Sequence, residues 1–591
     1  MHRYRVSVPR PADHLVSVEV EIPCADQGDF VDVTMPAWCP GSYLIRDYAR
    51  FVRELGARGD DGDPRPVTKI DKSTWRIARA DARSITVRYE VYGHELTVRT
   101  NHIDATHAFL HGPATFVYAP HLRAAPVRVQ IDPPDGWLVA TALREGHANS
   151  IDELFDSPIH LGGRAPRTFE AGGAQFELVT WGDFAPGGLF SLDTLTQDLA
   201  AIASDQCARA GATPFDRYVF VLMIAHDAYG GLEHRASSIN LNNPFALANR
   251  KSYEALLELL SHELFHAWNG KRIAPAALLD FDYTKEAYTR CLWVMEGVTS
   301  HYDRWALRSS RRITVKSFLE KVLDDWAKLM ATPGRNLQSL EDSSFDAWIK
   351  LYKPDESNVN TTVSYYLKGG LAMLALDLHI RRRTEGARSL DDVLRALWRD
   401  FGAKGVPYPE DVEAIFGEAV GLDLAEPFAR WIRGTSDPDL TLELAEVGLE
   451  LRSMHDPAQV EGGARAVWLG LTTAGARITG VLDGSPAQAA GLAPGDELAA
   501  IDSFRVLSDA DARAILALRA PGDEVELAVW RRNRLVTIGA RLGQAPPTRY
   551  EIGSIAAPGD ARAARFTAWI GEAYPAAPET LASITTTARW I

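Results

Sequence analysis

The chain has 591 residues, with 63 Lys and Arg against 78 Asp and Glu, a formal charge of −15. Hydrophobic residues make up 46% and charged ones 24%, which is globular composition and excludes a largely disordered, collagen-like or low-complexity chain. The acidic balance lacks the basic footprint that nucleic acid or an anionic membrane surface requires, and no apolar run approaches the ~18 residues that span a bilayer.

At roughly 150 residues per domain the length predicts three or four domains. The opening stretch, MHRYRVSVPRPADHLVSV, carries no secretory signal, so cytoplasmic residence is the expectation. Cys24, Cys39, Cys207 and Cys291 are widely spaced and form no CxxC pair. They read as small buried hydrophobes, not as a disulfide framework or a thiolate zinc site.

Residues 1–175 alternate apolar and polar side chains at period two, as in HLVSVEVEI (14–22), SITVRYEVY (84–92), APVRVQI (125–131) and FELVT (176–180), with turns such as GDDGDP and PPDG between strands. This predicts an N-terminal antiparallel β domain. Over 176–440 the period becomes helical, with apolar residues three or four apart in 192–209, 252–269, 315–330, 363–383 and 390–401 and one strand-like run at 218–224. A small β-rich module follows over 455–545. The tail, 546–591, is rich in Ala and Thr and carries no readable motif; its Arg589, Trp590 and Ile591 either pack on a domain or form a loose end. The fold class is multidomain α+β.

Residues 261–269 read SHELFHAWN, so His262, Glu263 and His266 form an HExxH motif. Positions i and i+4 share one helix face, about 6 Å of rise apart. Two imidazoles there can hold one zinc ion, with the intervening Glu in the same cleft as a general base. A third ligand is needed, and GKRIAPAALL immediately downstream offers no His. Glu296, in LWVMEGVTSHY, sits in an apolar helical run where a bare carboxylate would be costly to bury and a cation would relieve that cost. Glu286, in the solvated-looking YTKEAYTR, is the weaker candidate, and His301 reads as a bystander.

Two further segments stand out. YGGLEH (229–234) follows the strand-like run; Gly230 and Gly231 allow close approach of a ligand to backbone, and Glu233 either meets a cation or lies on the surface of a hairpin turn. SYYLKGG (364–370) opens a helix, where a Tyr hydroxyl is either core or a donor to a developing oxyanion.

HELFHAWN followed by KR, together with LWVMEG, GGLEH, SYYLKGG and the N-terminal PAWCPGSY (36–43), resembles the glycyl aminopeptidase family of gluzincin metallopeptidases. The resemblance runs to about residue 545. It implies a thermolysin-like, mainly helical catalytic domain, Zn2+ on His262, His266 and Glu296, and Glu263 as general base and acid. GGLEH stands where aminopeptidase N-type enzymes carry GxMEN, which implies that Glu233 holds the substrate amine. The YxKG pattern of those enzymes falls on residues 366–369, which makes Tyr366 rather than Tyr365 the oxyanion donor. Two departures are His234 in place of Asn and the 29 residues between His266 and Glu296. Residues 484–506 (GSPAQAAGLAPGDELAAIDSFRV) resemble a PDZ domain, in which Trp468, Leu469, Gly470 and Leu471 form the carboxylate-binding loop, unless the module is only a docking surface.

The expected activity is therefore zinc-dependent removal of an N-terminal residue, Gly and then Ala, from peptides with a free N-terminus. The PDZ-like domain takes peptide C-termini, and nucleic acid and membrane are excluded as partners. The rival readings are a broad zinc endopeptidase and a PDZ-centred scaffold with a vestigial metal site.

Overall fold

The computed structural model describes residues 1–455 and 467–586; Arg589, Trp590 and Ile591 lie outside the described residues. The chain forms two compact units. One comprises Met1–Thr289, Tyr302–Arg312 and Leu394–Val412, the other Arg290–His301, Ile313–Val393 and Glu413–Ile591. Among the described residues no helix is long and apolar enough to cross a membrane, and all four cysteines are buried free thiols.

The first unit opens with a seven-stranded sheet built on Leu15–Pro23 and Ser84–Tyr92. Their alternation does what period two requires: Val16, Val18, Val20 and Ile22 meet Ile85, Val87, Tyr89 and Val91 in the core, while Ser17, Glu19 and Glu21 face outward. The sheet is antiparallel except at one pairing. His2–Ser7 runs parallel to Val127–Asp132, because these strands are distant in sequence and no hairpin reverses the chain between them.

A second, mixed sheet has the order Arg167–Ala171, Ala174–Trp181, Arg217–Ile224, Ser237–Asn242 and Gly230–Glu233. Its three central strands are parallel, and helix Leu192–Ala210, capped by Ser191 and Gly211, makes the crossover. Arg217–Ile224 is buried from Tyr218 onward, the near-continuous apolar run of a strand covered on both faces. This sheet begins at Arg167, ahead of the boundary after residue 175 that periodicity suggests. Gly230–Glu233 forms one of its edges.

The second unit holds helices Val315–Met330 and Leu367–Arg383 and two β modules. A three-stranded sheet pairs Leu449–Met454 with Arg549–Ser554, and the latter with Thr580–Thr585. Helix Asp560–Ile570 lies between these last two strands in sequence, and its Trp569 meets Phe318 edge-on, centroids 6.0 Å apart. The stretch that reads as a featureless tail is therefore an integral part of this unit as far as Thr586. Its low-contrast Ala and Thr composition hides two short strands and one amphipathic helix.

The PDZ-like module, a six-stranded sheet over 471–541 with helices Pro486–Ala490 and Asp509–Leu516, is an excursion between two paired strands, since Met454 stands opposite Arg549. It has its own core of Leu469, Leu471, Ile478, Leu498, Ile501, Leu527 and Val529. Asn360 ties it to the helical part, donating from Nδ2 to the Val481 carbonyl at 2.8 Å and accepting the Asp483 N–H at 3.0 Å.

Candidate active site

Helix Arg250–Phe265 starts at Asn249, whose side chain accepts the Ser252 N–H at 2.9 Å. Leu256, Leu257, Leu260 and Leu264 are buried. The helix ends four residues before the end that periodicity suggests, because the backbone turns at 267–270 and the Gly270 N–H finds the Ile273 carbonyl. His266 still keeps helical register, with its N–H 3.3 Å from the His262 carbonyl.

The two rings stand at 80° with centroids 4.7 Å apart. His262 Nδ1 donates to Asp303 Oδ2 at 2.8 Å, and His266 Nδ1 donates to the Asn269 carbonyl at 2.7 Å. Both partners are acceptors, so each neutral ring carries its proton on Nδ1 and presents a lone pair at Nε2. The two Nε2 atoms are 3.1 Å apart. Two lone pairs facing each other at that distance repel unless a cation lies between them, so the pair fits a zinc ion chemically.

Glu263 is buried and faces the edge strand. A Cβ on Gly231 would lie 1.9 Å from Glu263 Oε1, so only glycine lets the carboxylate rest on that strand. Two residues on, Glu233 is also buried, at 4% exposure. Gly41 of PAWCPGSY, at φ +86°, backs it so closely that a Cβ there would be 2.5 Å from Glu233 Oε1. The N-terminal signature and GGLEH thus meet at one carboxylate. Beside it, Lys271 Nζ lies 2.8 Å and His234 Nδ1 3.1 Å from Asp156 Oδ1. Burial alone would raise the Asp156 carboxyl, but the Lys271 charge and the His234 contact outweigh it and hold the group well below the carboxylate range.

In the second unit Glu296 is 2% exposed and lies in Trp293–Gly297, a π-helical turn rather than the α-helix its apolar spacing suggests. Such wider turns recur at functional sites. Its first N–H, that of Trp293, bonds Ser344 Oγ at 3.0 Å. Gly297 presses on Gly369, which brings LWVMEG against SYYLKGG. Tyr366 lies just ahead of helix Leu367–Arg383. Its hydroxyl is pushed far above the usual phenol range, first by burial and next by the Glu296 charge, and lies 3.2 Å from the Tyr352 hydroxyl. Tyr365 is fully buried, its ring stacked on that of Tyr366 with centroids 4.8 Å apart. Lys368 is a brace: its Nζ donates to the carbonyls of Thr435 at 3.0 Å and Arg335 at 3.3 Å.

Glu286 is in irregular chain and half-buried, and His301 is buried. Asp303, Asn269, Gly41 and Tyr352 escape sequence reasoning. For Asp303 a signal exists, an acidic residue on the apolar face two helical turns after Glu296. In the PDZ-like module the Leu469 carbonyl accepts the Ala487 N–H and the Gly470 carbonyl accepts the Leu482 N–H. Both carbonyls turn into the module, and Leu471 begins the strand at the end of its sheet.

Family comparison follows the same order along the chain. The M61 peptidase N-terminal domain matches residues 3–163, the M61 glycyl aminopeptidase matches 255–372, and the PDZ domain matches 477–531. The chain is thus similar to the M61 peptidases over both an N-terminal and a catalytic segment, and it carries a PDZ domain. An aminopeptidase N family protein from Idiomarina loihiensis is 28% identical, with TM-score 0.88 over 96% of this chain and 100% of that one. An M1 zinc metallopeptidase from Deinococcus radiodurans is 14% identical, with TM-score 0.47 over 74% and 95%. Yeast LTA4 hydrolase in complex with bestatin is 13% identical, with TM-score 0.42 over 73% and 67%. Among curated protein sequences none matches the chain. The chain thus has the three-part organisation that its motifs imply: β domain, catalytic domain and PDZ domain.

Proposed function

We propose that this peptidase is a zinc aminopeptidase that releases single small residues, glycine ahead of alanine, from peptides with a free amino terminus. His262, His266 and Glu296 would hold the ion, since two imidazoles and one carboxylate are a donor set that suits zinc. When bound, zinc supplies polarisation of the scissile carbonyl and a lowered water pKa. Glu263 takes the proton of the attacking water and returns it to the leaving amine. Tyr366, held protonated by burial and the neighbouring Glu296 charge, donates to the oxyanion. Glu233 receives the substrate ammonium, and Gly230 and Gly231 leave the strand's backbone open to close approach. At the PDZ domain, peptide C-termini add beside Leu471–Ala474, with the backbone of Leu469, Gly470 and Leu471 around the carboxylate.

The observation that carries this reading is the seating of two carboxylates on one short strand. Glu263 rests on Gly231, and Glu233 ends the same strand two positions on, so the base and the amine anchor line one edge strand. Gly41, whose Cβ would fall 2.5 Å from Glu233 Oε1, sets its loop directly against the carboxylate that would receive the ammonium.

Metal analysis with a panel of aminoacyl amides tests the proposal. Purified protein should carry about one zinc at this site. Chelation should abolish turnover, Gly-amide should exceed Ala-amide and both should far exceed Leu-amide. Glu263→Gln should keep the zinc and lose turnover by orders of magnitude. Full activity of zinc-free protein would reject the mechanism; a preference for Leu-amide would reject the small-residue assignment alone.

A further inference from the structure

A second group of metal-ligating side chains lies in the N-terminal β domain. Residues 102–107 read HIDATH, with His102 in strand His102–Ile103, His107 opening strand His107–Leu110, and Asp104 in the tight turn between them. One ligand atom from each of His102, Asp104 and His107 lies within 4.8 Å of the others. His102 Nδ1 and His107 Nε2 face each other at 2.8 Å.

We propose that His102, Asp104 and His107 form a second divalent-cation site, for a late first-row ion such as Zn2+. Two imidazoles and one carboxylate are the donor set such ions favour. Each ligand is fixed from behind. The His107 ring lies flat on Trp181, centroids 3.6 Å apart at 10°, and its Nδ1 is 3.2 Å from His160 Nε2. That leaves Nε2 as the ligand atom with a hydrogen-bonded second nitrogen, the arrangement that orients metal-bound histidines. His94 stacks on His102 at 5.3 Å. Asp104 Oδ1 accepts from the Thr106 N–H, the Thr106 hydroxyl and the His107 N–H at 2.7–3.0 Å, which aims the carboxylate. Ala105 and Thr106 are exposed and Asp104 is half-buried, so the ion enters from solvent on the turn side and water completes its shell. A bound ion would pin the hairpin whose second strand pairs with Ile159–Gly162.

The alternative is a chain of neutral imidazoles, His102 to His107 to His160, joined by hydrogen bonds. Zn2+ titration of chelator-stripped full-length protein separates the two, using His262→Ala/His266→Ala so that the proposed catalytic pair cannot contribute. The site predicts one remaining equivalent at micromolar or tighter affinity and a rise in melting temperature with Zn2+. Asp104→Asn keeps the turn's acceptor oxygen and should weaken that equivalent at least tenfold; His102→Ala should abolish it. No binding by the double variant up to about 100 μM Zn2+ would overturn the site, as would one equivalent that Asp104→Asn leaves unchanged. Neither result would touch the catalytic assignment, which the difference in zinc content between wild type and the double variant reads separately.

Discussion

Gly297 and Gly369 meet backbone to backbone: a Cβ on Gly297 would stand 2.8 Å from the Gly369 Cα. One follows Glu296 directly and the other closes the tetrapeptide that begins at Tyr366. Two segments distant in sequence are thereby fixed at a separation that only two glycines permit, and the Glu296 charge reaches the Tyr366 hydroxyl across this contact.

Gly297→Ala should therefore cost about 1–3 kcal/mol as overpacking against backbone, visible as a lower melting temperature, and should weaken zinc retention by displacing Glu296. Gly370→Ala is the control. Its Cβ would be 3.2 Å from Ser300 Cβ, a milder approach than 2.8 Å to backbone, so the loss should be smaller. Equal melting temperatures for wild type and Gly297→Ala would show that the two backbones do not depend on this contact.

Tyr366→Phe should lower kcat by roughly 10²–10³ with zinc content unchanged, the cost of one lost oxyanion donor. Tyr365→Phe should leave kcat near wild type, since that ring packs in the core. The reverse outcome would move the oxyanion role one residue upstream.

The PDZ module should be separable, but not by simple truncation. Ending the chain at residue 455 removes both partners of the Leu449–Met454 sheet and the helix that places Trp569 against Phe318. Such a protein should be poorly soluble. Joining Met454 to Thr548 by a short turn closes the existing antiparallel pair and should yield folded protein that binds zinc. If the truncated protein proves as stable as the excised one, the C-terminal sheet contributes nothing to the fold.

Much of this was legible in the residues because local pattern and fold agree. Leu15–Pro23 and Ser84–Tyr92 follow directly from their alternation and Arg217–Ile224 from its short apolar run, and the HExxH pair follows from helical spacing. What escaped depends on long-range contact. A π-turn at Glu296 has the composition of an α-helix, and Gly41 is meaningful only once its loop is seen against Glu233. The strands after residue 546 are too short and too weakly alternating to stand out from an Ala- and Thr-rich background. Asp303, though on the apolar face of its helix, gains its role only from His262, 41 positions away in sequence.

The central claim is that Glu233 selects a free amino terminus, and one comparison tests it most directly. An ammonium against a buried carboxylate gains a charge-assisted hydrogen bond of about 1.5–3 kcal/mol, and acetylation both removes that bond and strands the carboxylate. The measurement is kcat/KM for a glycyl peptide and its N-acetylated counterpart, on wild type and on Glu233→Ala. The account predicts a fall of two to three orders of magnitude on acetylation, about 3–4 kcal/mol, and a much narrower gap in Glu233→Ala. Equal kcat/KM for the two peptides on the wild-type enzyme would contradict it and make this protein an endopeptidase.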